Sequence, residues 1–128
     1  MDNRVSREAI LSFCEKTYGT KPDFPWENDT DNAVLRHSHS GKWYALLMRV
    51  KGKRLGLDTD EVKDVLNLKC DKAMLGSMLT KQGCLPAYHM SKSSWVSVLL
   101  DGSMPLEEVL VLLDMSYELT GKKNRSKM

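Results

Sequence analysis

The chain has 128 residues, 41% of them hydrophobic and 28% charged, with a formal net charge of +2. That balance suits one globular domain, which at this size buries about two thirds of its unfolded surface and needs neither a disulfide framework nor a metal to hold a core. Cys14, Cys70 and Cys84 form no C-x-x-C pair, the first residues lack the apolar stretch of a secretory signal, and the longest apolar runs, 43–48 and 109–113, fall far short of the ~20 residues that cross a bilayer, so a cytoplasmic protein with reduced thiols and no membrane contact is expected.

The first predicted element is a helix from a Ser6 N-cap to Gly19. Val5 and Ile10 stand at the positions of a hydrophobic staple, and Ala9, Ile10, Phe13 and Cys14 recur at helical spacing. The acidic stretch from Lys21 to Asp31 contains Pro22 and Pro25, which remove backbone donors, and reads as a surface loop anchored by Phe24 and Trp26. Residues 33–37 and 42–50 then predict a hairpin around Ser38-His39-Ser40-Gly41, where Gly41 can take the positive φ of a tight turn. Its second strand is apolar on both faces and is expected at the centre of a sheet.

Charge is segregated along this part of the chain. Arg36, Lys42, Arg49, Lys51, Lys53 and Arg54 follow one another between residues 36 and 57 with no Asp or Glu, whereas Asp23, Glu27, Asp29 and Asp31 crowd the segment before. The tail 122–128 holds four of the 19 basic residues, which leaves 15 basic against 17 acidic in residues 1–121. The body is therefore not a bulk cation, but it carries one basic island.

Residues 51–57, with Gly52 and Gly56, read as a glycine-softened turn or protruding arm, and an extra strand or short helix can be hidden between 50 and 63. Leu66, Leu68 and Cys70 alternate with Val65, Asn67 and Lys69, the pattern of a strand with one buried face. Asp71 is placed to cap a second helix with Met74, Leu75, Met78 and Leu79 on one side, closed by Gly83. A last strand pair, 85–90 and 95–100, is joined by residues 91–94. Asp101-Gly102 then leads into a third helix with Pro105 in its first turn, an inward stripe of Leu106, Val109, Leu110, Leu113 and Tyr117, and Gly121 at its end. The order α-β-β-β-α-β-β-α predicts an α+β, two-layer fold, a mostly antiparallel sheet with helices packed on one face. Residues 1–121 are read as a single domain and 122–128 as a basic flexible tail.

Catalytic constellations are scarce. The Walker A loop, G-x-S-x-G, H-E-x-x-H and G-x-G-x-x-G are absent from the sequence. Cys84 or Cys70 could pair with His89 as a nucleophile and base, but reactive thiols need an electropositive, partly exposed setting, and buried thiols beside apolar strands are the better reading. His37 and His39 would share one side of a strand, yet without a third ligand at recognisable spacing a solvated hairpin is favoured over a zinc or nickel site. Met74 and Met78 read as core filler. No enzymatic activity, metal or cofactor is expected.

The stretch 85–102, L-P-A-Y-H-M-S-K-S-S-W-V-S-V-L-L-D-G, is not called for by composition or periodicity. Through Pro86-Ala87-Tyr88-His89-Met90, Lys92, Trp95, Asp101-Gly102 and Ser116-Tyr117, with Leu66-Asn67-Leu68-Lys69-Cys70-Asp71 upstream, the chain resembles the MmcQ/YjbR family over residues 5–120. The resemblance implies a two-layer fold, a bacterial source, a double-wing arrangement for binding DNA and no associated reaction. Ser91 stands where the family commonly has Asn, and Ala87 where it commonly has Gly.

The functional expectation is accordingly binding of double-stranded DNA without catalysis, through basic hairpin wings on the phosphates. The candidate contacts are Arg36, Lys42, Lys51, Lys53, Arg54, His89 and Lys92, with Arg49 on the same hairpin. Each phosphate neutralised releases counterions, so affinity would fall with salt. Lys92, with the hydroxyls of residues 91–94, would form the second wing, and Tyr88 and Trp95 would serve structure. The alternative is a protein-interaction module, because the implied fold is similar to that of secretion-type chaperones, which present a surface to a protein partner.

Overall fold

The computed structural model describes residues 4–121. Five strands form one antiparallel sheet in the order β1-β2-β3-β5-β4. They are β1 (Ala33–Arg36), β2 (Trp43–Lys51), β3 (Val62–Lys69), β4 (Cys84–Pro86) and β5 (Trp95–Leu99), and the helices are α1 (Arg7–Tyr18), α2 (Leu75–Met78) and α3 (Leu106–Gly121). The basic tail 122–128 lies outside the described residues.

Helix α1 starts and stops where the sequence places it. Ser6 Oγ accepts the Ala9 N–H at 3.1 Å, and Gly19 takes the left-handed conformation (φ 71°) that returns its N–H to the last turn. Ile10 and Cys14 of α1 and Val109 and Leu113 of α3 pack on Leu35, Leu47, Leu66, Leu68, Val96 and Val98 of the sheet. These strand residues sit opposite one another in register, so they share one face. The helices lie on that side of the sheet.

The opposite face is also closed. Val34, Leu46, Met48, Val50, Val65 and Leu99 form a second apolar cluster, covered by Trp43, Leu55, Leu57, Leu85, Tyr88 and Met90. Strand β2 is interior and apolar on both faces, as its composition requires. Strand β3 was expected to bury one face but buries both, because the chain after β4 lies across it; Asn67 is fully buried.

Several boundaries differ from the sequence reading. The predicted strand 85–90 is only three residues long in β4, since Pro86 cannot donate to a ladder and Tyr88 leaves the sheet. The second helix shrinks to a 3₁₀ turn, Lys72–Met74, capped by Asp71 Oδ1, followed by the single-turn α2. Met78 is buried there, whereas Met74 is exposed. Of the readings open for 50–63, the turn and the short helix hold and the protruding arm does not, since residues 52–55 form a 3₁₀ turn: Gly52 is buried, its N–H bonds to the Glu61 carbonyl at 2.9 Å, and a Cβ there would come within 2.9 Å of the Thr59 carbonyl oxygen. Phe24 and Trp26 do not anchor their loop by burial. Both are exposed, and the loop is held by the paired backbone bonds of Asp23 and Val34 and by the Asp29 side chain, which accepts from Asp31 N and Asn32 N.

The helix layer is bolted to the sheet by polar groups. Beyond the Ala45–Leu68 pair, Ser116 Oγ donates to the Tyr44 carbonyl at 2.6 Å and accepts the Lys69 N–H at 2.9 Å, closing the end of the β2–β3 ladder. His37 is buried rather than solvated: its Nε2 lies 2.9 Å from Thr120 Oγ1, and its ring packs on Tyr44 and Tyr117. Burial, with the charges of His39 and Lys42, pushes its pKa below the ordinary value.

Candidate nucleic-acid interface

The seven predicted contacts do not form one patch. Strand β2 runs nine residues, about 27 Å at ~3.4 Å per residue, and separates them into two groups. Lys42 precedes Trp43, at the end of the sheet shared by the close of β3 and the start of β5, where Lys69 pairs with Trp95. The turn 91–94 that carries Lys92 lies at this end too, with the Ser94 carbonyl accepting the Cys70 N–H at 2.8 Å. Lys51, Lys53 and Arg54 lie at the other end, where β2 runs into the 3₁₀ turn and Lys51 pairs with Val62.

Acids neutralise part of this set. Arg36 is held by Asp23 (2.8 Å) and lies over the Trp43 ring, and Lys53 is 3.5 Å from Asp60. Arg49 is bonded to Asp64 and Asp31, whose carboxylates raise its pKa. The acidic loop and the basic hairpin, segregated in sequence, thus meet in space. Among the described residues, Lys42, Lys51, Arg54, Lys69 and Lys92 have no carboxylate within ion-pairing distance. Lys69, which the sequence reading passed over as a strand residue, belongs with Lys42; its ammonium lies 5.8 Å from the centroid of the Trp95 ring.

The Tyr88-His89-Met90 segment is fixed by two polar residues in the middle of the sheet. Ser97 Oγ donates to Asn67 Oδ1 at 2.6 Å and accepts the Tyr88 N–H at 2.9 Å, while Asn67 Nδ2 donates to the Tyr88 carbonyl at 2.8 Å. Both side chains are fully buried, and together they hold one residue by its N–H and its C=O. The next residue, His89, has φ 61°, a left-handed conformation that a non-glycine residue rarely adopts and that persists only where its surroundings enforce it. His89 is exposed and its ring rests on Tyr88, with centroids 4.0 Å apart, while Trp95 is buried away from it beside Lys69. The signal in the sequence was a lone polar residue in each of two apolar runs, Asn67 in L-N-L and Ser97 in W-V-S-V-L-L.

This arrangement leaves two adjoining grooves. One, of about 380 Å³, is walled by Trp26, Trp43 and His89, floored by Leu46 and Met48, and has Asp29 and Asn32 at its rim. The other, of about 440 Å³, is lined by Lys42, Lys69, Trp95 and Thr120. Trp43 and Met90 border both. The three cysteines lie elsewhere in the core, where burial pushes Cys14 and Cys84 up to about 11 and raises Cys70 as well, so neither Cys70 nor Cys84 is set up as a thiolate for His89. No described helix is long and apolar enough to cross a membrane.

Comparison with known proteins agrees with this architecture. An uncharacterised protein, YyaQ, of Bacillus subtilis (strain 168) is 40% identical over 116 residues, which span 91% of this chain and 98% of the relative. A crystal structure of a Pseudomonas syringae protein superposes with a TM-score of 0.87 at 43% identity, covering 90% of this chain and 98% of that one. A Deinococcus radiodurans protein superposes with a TM-score of 0.73 at 25% identity, over 98% of this chain and 86% of that one. The family model described as YjbR matches residues 15–119, and by its fold, its sequence and these relatives the chain belongs to the YjbR family.

Proposed function

We propose that the protein binds duplex DNA through its phosphates, without catalysis, using the two ends of the β2–β3 ladder as a pair of contacts. The observation that supports this reading most is the position of five of the cations that have no carboxylate within ion-pairing distance among the described residues. Lys42, Lys69 and Lys92 gather at one end and Lys51 and Arg54 at the other, about 27 Å away. That span corresponds to roughly eight base-pair steps of ~3.4 Å, inside one helical turn, and the reading requires a duplex that follows β2 and meets cations at both of its ends. Arg36, Arg49 and Lys53 contribute less, because binding DNA means leaving an existing carboxylate partner. His89 borders the first group, across the groove that Trp43 and Met90 share with it. Among the described residues no exposed helix face presents Arg, Asn and Gln in an array for the major groove, and the mechanism is electrostatic with weak sequence preference.

A salt series of anisotropy measurements on a generic duplex tests it. Log affinity should fall with log salt by about 0.9 per phosphate neutralised. Lys51→Glu with Arg54→Glu, and Lys42→Glu with Lys92→Glu, should each flatten that slope by about two. A duplex affinity unchanged by both pairs of substitutions, or no binding at low salt, overturns the reading. A protein partner recovered after nuclease treatment and lost on substituting Phe24 and Trp26, both exposed, would then favour the interaction-module alternative.

A further inference from the structure

The two adjoining grooves have a chemistry that duplex phosphates do not use. The chain has three tryptophans, and all of them line these grooves: Trp26 and Trp43 the first, Trp43 and Trp95 the second. Trp26 is 41% exposed, and its ring meets Trp43 edge to face with centroids 6.0 Å apart. A large aromatic side chain left at the surface beside an apolar floor is a stacking platform. On the same groove, the buried Asn67–Ser97 pair holds the Tyr88 backbone and so sets the strained His89 beside it, while Trp26 comes from the loop that the Asp23–Val34 backbone bonds and the Asp29 side chain hold.

Charge gives the site a direction. At the rim of the aromatic groove, the Asp29 carboxylate accepts from Asn32 Nδ2 at 2.7 Å and is kept ionised by that bond, so an anion is repelled there. At the far side, past Trp43, stand Lys42 and Lys69, with no carboxylate within ion-pairing distance among the described residues. The occupant must therefore be flat and apolar at one end and anionic at the other. Asn32 adds an amide, one of whose N–H groups is committed to Asp29, leaving hydrogen-bonding capacity for the edge of a heterocycle.

We propose that this pair of grooves is a nucleotide site, with the base against Trp26, Trp43 and His89 and the phosphate between Lys42 and Lys69. A base inside a duplex has both faces covered by its neighbours, so the occupant is unpaired. It is either a free mononucleotide or one residue of a single strand. Stacking supplies most of the affinity, at about 1–3 kcal/mol per base, and the lysines act on the phosphate as point charges. This goes beyond the duplex reading and does not depend on it.

The three indole N–H resonances of the isotope-labelled protein report on the site directly. Titration with AMP, with adenosine, with inorganic phosphate and with a short oligo(dA) strand should shift them saturably for AMP and for the strand, with a somewhat lower affinity for adenosine, and least for phosphate alone. Equal affinity for AMP and for the strand assigns a free nucleotide; a strand bound about a hundredfold more tightly assigns single-stranded nucleic acid, and both sustain the site. Trp26→Ala, at an exposed position where folding should survive, should weaken AMP by about ten- to a hundredfold. Lys42→Glu with Lys69→Glu should weaken AMP but leave adenosine unchanged. Indole signals that do not move with AMP or strand up to about 10 mM would overturn the proposal, as would affinities indifferent to Trp26→Ala and to the lysine pair. Duplex binding separates the two readings at Trp26 alone: Trp26→Ala leaves it intact, whereas Lys42→Glu with Lys69→Glu weakens both, since these lysines serve both contacts.

Discussion

The bonds among Asn67, Ser97 and Tyr88 make a quantitative prediction about the second face of the sheet. Asn67→Ala removes the acceptor of the Ser97 hydroxyl and the donor to the Tyr88 carbonyl; Ser97→Ala removes the donor to Asn67 Oδ1 and the acceptor of the Tyr88 N–H. The Asn67–Ser97 bond is wholly buried, and a polar group stranded there costs ~1–3 kcal/mol. The two bonds to Tyr88 are only partly buried, so water replaces the missing partner in part and the lower end of that range applies. Each single substitution should therefore destabilise by about 2–4 kcal/mol. Both singles break the same central bond, so the double variant should cost less than their sum by about 1 kcal/mol or more. Urea unfolding measures this: with a slope of ~2 kcal/mol per molar, each single variant moves the midpoint down by about 1–2 M at unchanged slope. Single costs below ~0.5 kcal/mol that simply add would refute the claim that these two side chains hold the Tyr88-His89-Met90 segment.

Other tests address the remaining structural claims. His37 has a pKa depressed below 6.5 by burial and by the charges of His39 and Lys42. The unfolded chain therefore takes up a proton before the folded one does, and stability should be fully present above pH ~6.5 and fall as pH drops through the folded pKa; thermal midpoints between pH 8 and 5 should slope less in His37→Gln, and an equal slope would remove His37 as the cause. Gly52→Ala would push a methyl against the Thr59 carbonyl and should cost about 1–3 kcal/mol in the same urea assay, whereas a neutral result would mean that the 52–61 segment is looser than described. The three thiols should resist a disulfide reagent in the native protein at pH 8 and react together in denaturant, since burial raises the pKa of each; one fast native thiol would contradict their burial.

Local signals in the sequence settled most of the elements. The Ser6 cap and Gly19 stop bound α1, the Gly41 turn joins β1 to β2, and the double-faced apolar run of β2 places it inside the sheet, because capping, left-handed φ and burial are properties of a few neighbouring residues. The signature around Tyr88 and His89 was also legible, through family likeness, as a place of interest. The tertiary structure decided what these parts do together. Pro86 ends β4 early, and the chain then crosses the second face, which makes Asn67 a buried positioning residue instead of a solvent-facing one. Cations adjacent in sequence separate to opposite ends of a nine-residue strand, while Asp23, Asp31 and Asp64 fold back to occupy Arg36 and Arg49. Lys69 and the distant Lys42, and Trp26 and the distant His89, become neighbours. Sequence pattern reports each residue's local preference and its share of burial; which charges cancel and which side chains line a common groove depend on long-range register, which no local pattern carries.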